Sequence, residues 1–97
     1  EGFVPIVPPA MIRHKPMDAM GYLARGYDEV YRTQDDLYLV GTSEQSTGPL
    51  HMDEILREEE LPKRYVAFSA CFRREAGAHG KDTRGILRVH QFDKVEM

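Results

Sequence analysis

Arg73, Glu75, Arg88, Phe92 and Glu96 could together hold an anionic, aromatic ligand, and their spacing allows them to share one surface. An arginine presents a planar fork to phosphate or carboxylate, and a phenylalanine offers a ring on which a base can stack. A glutamate accepts from an exocyclic amine or an ammonium group. A nucleotide carries the complementary groups. Successive strand side chains point to opposite faces. In Tyr65 to Arg74 the apolar Val66, Phe68, Ala70 and Phe72 therefore form one face, expected to be buried, while Ser69, Cys71, Arg73 and Glu75 follow the other phase. On a returning strand Leu87, Val89, Val95 and Met97 share the apolar phase, and Arg88, Phe92 and Glu96 oppose it. Alternation alone favours a blander reading, a solvated face whose charges form cross-strand ion pairs worth little each.

The elements that would position these residues follow from local pattern. Ala76 to Gly85 contains Gly77, Gly80 and Gly85 with mixed charge, and reads as a long hairpin loop between the two strands. Gly2 to Val7 is β-rich and is stopped by Pro8-Pro9. Met11 to Ala24 is divided by Pro16 and weakened by Gly21, so at most a short helix is expected after the proline, with Met11, Met17 and Met20 as core filler. Val30-Tyr31 and Leu37 to Val40 flank a polar turn and predict a hairpin whose second strand delivers Thr42 and Glu44 to the ligand side. Pro49 suits the first turn of a helix, capped by Ser46 or Thr47 and running over Leu50 to Glu60, with Glu58-Glu59-Glu60 unfavourably placed at its C-terminal end.

Composition excludes several classes. The chain is 41% hydrophobic and 30% charged, its apolar runs are too short for a membrane span, and it begins with no signal-peptide pattern. One cysteine, Cys71, cannot form an internal disulfide and reads as a packing residue. A formal net charge of -3 is unlike that of a general nucleic-acid binder, so any contact with RNA is local. His14, His51, His79, His90 and Cys71 show no zinc-ligand spacing.

The wording of the sequence is more specific than its pattern. Cys71-Phe72-Arg73-Arg74-Glu75-Ala76-Gly77, Gly80 to Gly85 and His90-Gln91-Phe92-Asp93-Lys94-Val95-Glu96 resemble motif 2 of the class II aminoacyl-tRNA synthetases, in the form carried by the seryl-tRNA synthetases. Gly2 to Met11 resembles the strand half of motif 1, with Pro9 as its proline. Thr42-Ser43-Glu44 resembles the Thr-x-Glu segment of the serine pocket, and Leu50 to Leu56 with Leu61 to Tyr65 resembles the link to motif 2. Ser43 stands where alanine is frequent in that family, and Gly21 to Tyr31 falls outside the resembling blocks.

The resemblance implies an α+β fold centred on an antiparallel sheet, with residues 1–97 forming part of a catalytic domain. In that domain the motif 1 strand spans 2–11, the Thr-x-Glu segment 42–44 and the motif 2 hairpin 65–97. Motif 3, the motif 1 helix and the N-terminal tRNA-reading arm would lie outside the chain. The implied activity is serine activation by ATP, with transfer to tRNA(Ser), in a cytoplasmic homodimer. Arg73 would bridge the α-phosphate and the serine carboxylate. Glu75 would meet the adenine amine, Phe92 its ring and Arg88 a distal phosphate. Thr42 and Glu44 would hold the serine ammonium, and Glu96 the hydroxyl. Lys81 and Arg84 are candidates for tRNA contact. Magnesium would arrive with ATP, and no zinc is expected. The alternatives are a threonyl- or prolyl-type relative, or a non-catalytic paralogue that binds nucleotide or RNA. The wording of 42–44 and 90–96 disfavours the former, and retention of the ligand residues disfavours the latter.

Overall fold

The computed structural model describes residues 2–23, 27–75 and 88–97. Two three-stranded sheets and two short helices build the described fold. β1 (Val4–Ile6) pairs in parallel with β5 (Tyr65–Phe72), and β6 (Gln91–Glu96) pairs antiparallel with β5 on its other side. The second sheet is wholly antiparallel, with β4 (Tyr38–Leu39) between β2 (Met11–Ile12) and β3 (Tyr31–Arg32). Helices with antiparallel pairing match the α+β expectation, and the parallel β1 is an addition to it. Pro5 is tolerated in β1 because, among the described residues, that strand pairs on one side only, so a missing N–H breaks no ladder.

Pro8-Pro9 separate β1 from β2 and carry the chain from one sheet to the other. Helix α1 (His14–Ala19) is short, as expected, but begins before Pro16. Pro16 lies in its first turn, where backbone N–H groups lack helical partners in any case. Met17 from α1 packs with Ile12, Tyr38 and Val40 in the buried core. Met11 instead faces outward, because alternation along β2 gives the core side to Ile12. The β3–β4 hairpin forms as expected. Thr33 N–H donates to the Leu37 carbonyl at 2.8 Å, and Asp36 takes the left-handed conformation (φ 59°) that the turn requires.

The helix expected over Leu50 to Glu60 does not form. Helix α2 (Glu44–Thr47) starts earlier and passes into a single 3₁₀ turn at Gly48–His51. Met52 then turns extended (ψ 136°) and Asp53 left-handed (φ 64°). Tertiary bonds hold this break. His51 Nε2 meets the Tyr65 hydroxyl at 2.8 Å and Nδ1 meets Glu54 at 2.9 Å, while Lys15 on α1 pairs with Asp53 at 2.9 Å. Leu50, Ile55 and Leu61 are exposed, so no continuous apolar stripe exists to support a longer helix. Thr47 caps nothing, since its hydroxyl is buried with no partner among the described residues. Glu58–Glu60 form a separate 3₁₀ turn, with Arg57 N–H donating to Glu60 at 2.7 Å. The acidic run therefore opens a helical turn, where negative charge is favoured.

The expected inside and outside of the β5–β6 hairpin are reversed. Ala67, Ser69 and Cys71 are buried, whereas Phe68 is 51% and Val95 61% exposed, and Val89 and Met97 are also open. The register places Phe92, Lys94 and Glu96 opposite Cys71, Ser69 and Ala67 on one face. The segment after β4 lies over that face, through Thr42 and Ser43 bonding to Glu96. Small side chains there leave room for a layer of polar residues above the sheet. Alternation correctly grouped the residues; polarity misjudged which group would be covered.

Candidate functional site

The site lies where the two sheets meet. Val40 N–H donates to Ala10 at 2.9 Å, and Phe72 N–H donates to Val40 at 2.7 Å, so the exit of β4 is tied to the end of β5. Gly41 permits this approach. A Cβ there would stand 3.3 Å from the Phe72 carbonyl oxygen and 3.5 Å from Arg73 Cγ. The Gly41 carbonyl accepts from Arg73 Nε at 2.9 Å, fixing the guanidinium at one edge. Its Cζ lies 5.2 Å from the centre of the Phe92 ring, in cation–π geometry. Among the described residues the two terminal nitrogens of Arg73 have no partner, and they remain available to an anion.

Glu96 gathers the other half of the site. Thr42 Oγ1 lies 2.8 Å from both of its carboxylate oxygens, and Ser43 Oγ donates to Oε2 at 2.5 Å. The Glu44 N–H donates to Oε2 at 2.8 Å, and Lys94 pairs with Oε1 while its Nζ also donates to Thr42 Oγ1 at 3.1 Å. Partial burial alone would push the Glu96 carboxyl up. The bonds from Lys94, Ser43, Thr42 and the Glu44 N–H outweigh it and hold the carboxyl down at about 2. Glu96 is thus a fixed anion at neutral pH. The Glu44 side chain is exposed, with the Tyr22 hydroxyl at 3.5 Å from Oε2. Burial and the neighbouring Glu44 carboxylate push the Tyr22 phenol up.

Glu75 and Arg88 pair at 2.7 Å across the hairpin, as the blander reading of the charges anticipated for that pair. Glu75 is left-handed (φ 54°), and its N–H donates to the Glu29 carboxylate at 3.1 Å. The Glu29 carbonyl accepts from Arg74 N–H at 3.0 Å. Arg74 itself is exposed beyond the end of β5, which removes any conflict with its position in the apolar phase. The structure therefore brings Thr42, Glu44 and Glu96 together, sets Arg73 on Phe92, and pairs Glu75 with Arg88. Lys81 and Arg84, with the loop around them and Leu87, lie outside the described residues.

Sequence reasoning missed Ser43, Lys94, Tyr22 and Glu29. Lys94 could have been found, because alternation puts it between Phe92 and Glu96 on their own face. Glu29 offered no local signal. His90, whose Nδ1 meets the Tyr31 hydroxyl at 2.6 Å, and His51 both serve structural bonds. Cys71 is fully buried, and burial pushes its thiol up, which suits a packing residue. Among the described residues no group of His, Cys, Asp or Glu is gathered as a metal centre, and no helix is long and apolar enough to cross a membrane.

Residues 27–97 match the tRNA synthetase class II core domain (G, H, P, S and T). The chain belongs to this family. Within it, the chain is 60% identical over 97 residues to a serine–tRNA ligase of Acidothermus cellulolyticus, matching 99% of its own length and 23% of the relative's. Identity and coverage are the same for a serine–tRNA ligase of Cutibacterium acnes. The crystal structure of seryl-tRNA synthetase from Pyrococcus horikoshii complexed with ATP superposes with a TM-score of 0.86 at 46% identity. It covers 97% of this chain, which spans 21% of that one. The cytoplasmic serine–tRNA ligase of Naegleria fowleri in complex with AMP gives a TM-score of 0.84 at 42% identity, with 97% and 20% covered. The chain thus spans about a quarter of the length of the curated relatives it matches. All four relatives are seryl enzymes, so within the class II family the chain resembles that branch.

Proposed function

We propose that this chain is part of the catalytic domain of a serine–tRNA ligase, in the portion that holds serine and ATP during formation of seryl-adenylate. The observation that carries the reading is the junction between Thr42-Ser43-Glu44 and Glu96, set beside Arg73 on Phe92. In the proposed reaction the serine carboxylate attacks the α-phosphate of ATP and pyrophosphate leaves. The seryl group then passes to the terminal ribose of tRNA(Ser). The terminal nitrogens of Arg73 bridge the carboxylate and the α-phosphate, offsetting charge that develops between them. Because Arg73 also rests on Phe92, base and phosphate are set at a fixed spacing when adenine stacks on that ring. Glu75 meets the adenine amine, and Arg88 exchanges its pairing with Glu75 for a distal phosphate. Glu96, ionised and rigid, accepts from the serine hydroxyl, while Thr42 and Glu44 receive the ammonium group.

No protein nucleophile is required. Magnesium enters with ATP, supplying charge neutralisation at the phosphates. Among the described residues no group of His, Cys, Asp or Glu is gathered to hold it. The domain boundaries follow the same reading, with a motif 1 strand over 2–11, the Thr-x-Glu segment at 42–44 and the motif 2 hairpin over 65–97. The proposed setting is cytoplasmic, with the whole protein a homodimer and Lys81 and Arg84 as the proposed tRNA contacts. The high identity to serine–tRNA ligases supports this reading over a threonyl or prolyl type.

The test is amino-acid-dependent ATP–pyrophosphate exchange by the full-length protein. Serine should drive it in preference to threonine and proline, and Arg73→Ala should lower it by a factor of about 100 or more. Preference for threonine or proline would overturn the specificity, and substantial exchange by Arg73→Ala would overturn the role of Arg73. A full-length protein that exchanges with no amino acid would be the non-catalytic paralogue.

A further inference from the structure

The two oxygens of Glu96 are not equivalent. Oε2 takes the Ser43 hydroxyl at 2.5 Å and the Glu44 N–H at 2.8 Å. The Ser43 side chain is fully buried, which restricts its rotation, and the Glu44 N–H belongs to the first turn of α2 and cannot leave without moving the backbone. Oε1 is met by the flexible Lys94 ammonium and by Thr42, whose single hydroxyl proton is shared between both oxygens at 2.8 Å. An incoming hydroxyl can therefore reach Oε1 by displacing a side chain, whereas Oε2 is closed. We propose that Ser43 is a positioning residue that closes Oε2 and thereby presents Oε1 of Glu96 to the hydroxyl of the amino-acid substrate, adding to the selection of serine over alanine. This rests on the serine reading given above.

Without the Ser43 hydroxyl, Oε2 keeps among the described residues the Glu44 N–H and its share of the Thr42 proton, and loses its shortest bond. The carboxylate is then held less firmly in its orientation, and the bond to the substrate hydroxyl weakens. Alanine makes no such bond and is indifferent to the change. The measurement is the ratio of kcat/KM for serine to that for alanine in ATP–pyrophosphate exchange by the full-length protein, wild type against Ser43→Ala. A ratio about tenfold lower is expected, with the alanine value and the KM for ATP unchanged. A ratio does not depend on how much of the variant is folded, so reduced yield leaves it interpretable. If serine and alanine values fall in step, or neither moves, Ser43 is only structural and the inference fails. If the wild-type protein does not prefer serine, the functional reading fails at that earlier point, before Ser43→Ala is measured.

Discussion

Replacing Glu29 with alanine would ask how the end of β5 aims Glu75. The described bonds that tie Glu29 to this corner include the Glu75 N–H to its carboxylate at 3.1 Å and the Arg74 N–H to its carbonyl at 3.0 Å. Alanine keeps the carbonyl and removes the carboxylate. Glu75 holds a left-handed backbone (φ 54°), which costs a non-glycine residue about 1–2 kcal/mol and so persists only while its surroundings enforce it. A hydrogen bond to a charged acceptor contributes about 1.5–3 kcal/mol. Glu29 is half-buried, which places it at the lower end, about 1.5 kcal/mol. That is comparable with the cost of the left-handed turn, so its loss should let Glu75 relax and swing its carboxylate away from the position proposed for adenine. An energy of about 1.4 kcal/mol is a factor of ten, and the expected result is a KM for ATP raised about tenfold. The KM for serine should stay constant, because Glu29 touches neither Thr42 nor Glu96 in the described bonds. Initial rates of ATP–pyrophosphate exchange by the full-length protein, with ATP and serine varied separately, measure this. Glu29→Gln keeps an acceptor oxygen and should recover most of the loss. An unchanged KM for ATP in Glu29→Ala, at an unchanged melting temperature, would refute the argument.

Gly41→Ala should reduce kcat about tenfold, read in the same exchange assay, because its Cβ would press on the Phe72 carbonyl at 3.3 Å and shift Arg73; activity at the wild-type level would show that Arg73 tolerates the shift. Glu96 carries a pH dependence with a defined sign. Its folded-state pKa, about 2, lies below its ordinary value of 4.5, so its contribution to stability is complete above pH 4.5 and is lost as pH falls towards 2. The difference in urea midpoint between the wild-type full-length protein and Glu96→Gln should therefore be largest above pH 4.5 and shrink on acidification; a difference constant with pH would contradict this.

Much of the site was legible because chemistry and periodicity are local. Arg73, Phe92 and Glu96 share a face as period 2 requires, and the wording around them pointed to a family that residues 27–97 match. The direction of burial was not legible. Ala67, Ser69 and Cys71 are less hydrophobic than Val66, Phe68 and Phe72, yet they are covered because Thr42 and Ser43 bond across them to Glu96. Composition cannot report a cover that arrives from more than twenty positions away. The failed helix after Pro49 has the same origin, since its breaking contacts, His51 to Tyr65 and Asp53 to Lys15, lie outside any local window. Glu29 was invisible because its role is to accept from backbone, a use that places no demand on neighbouring sequence.

The junction of Thr42 and Glu96 joins positions 54 apart in the chain. On a ribosome adding roughly 5–20 residues per second, the donors emerge roughly three to ten seconds before their acceptor. Closure of so long a loop must precede any reward from the contact, which makes this pocket a late event in folding. Until Glu96 arrives, the Thr42 and Ser43 hydroxyls and the Glu44 amide lack the carboxylate that gathers them. A chain released before β6 is made would hold the polar half of the pocket open, with the buried strand residues beneath it uncovered.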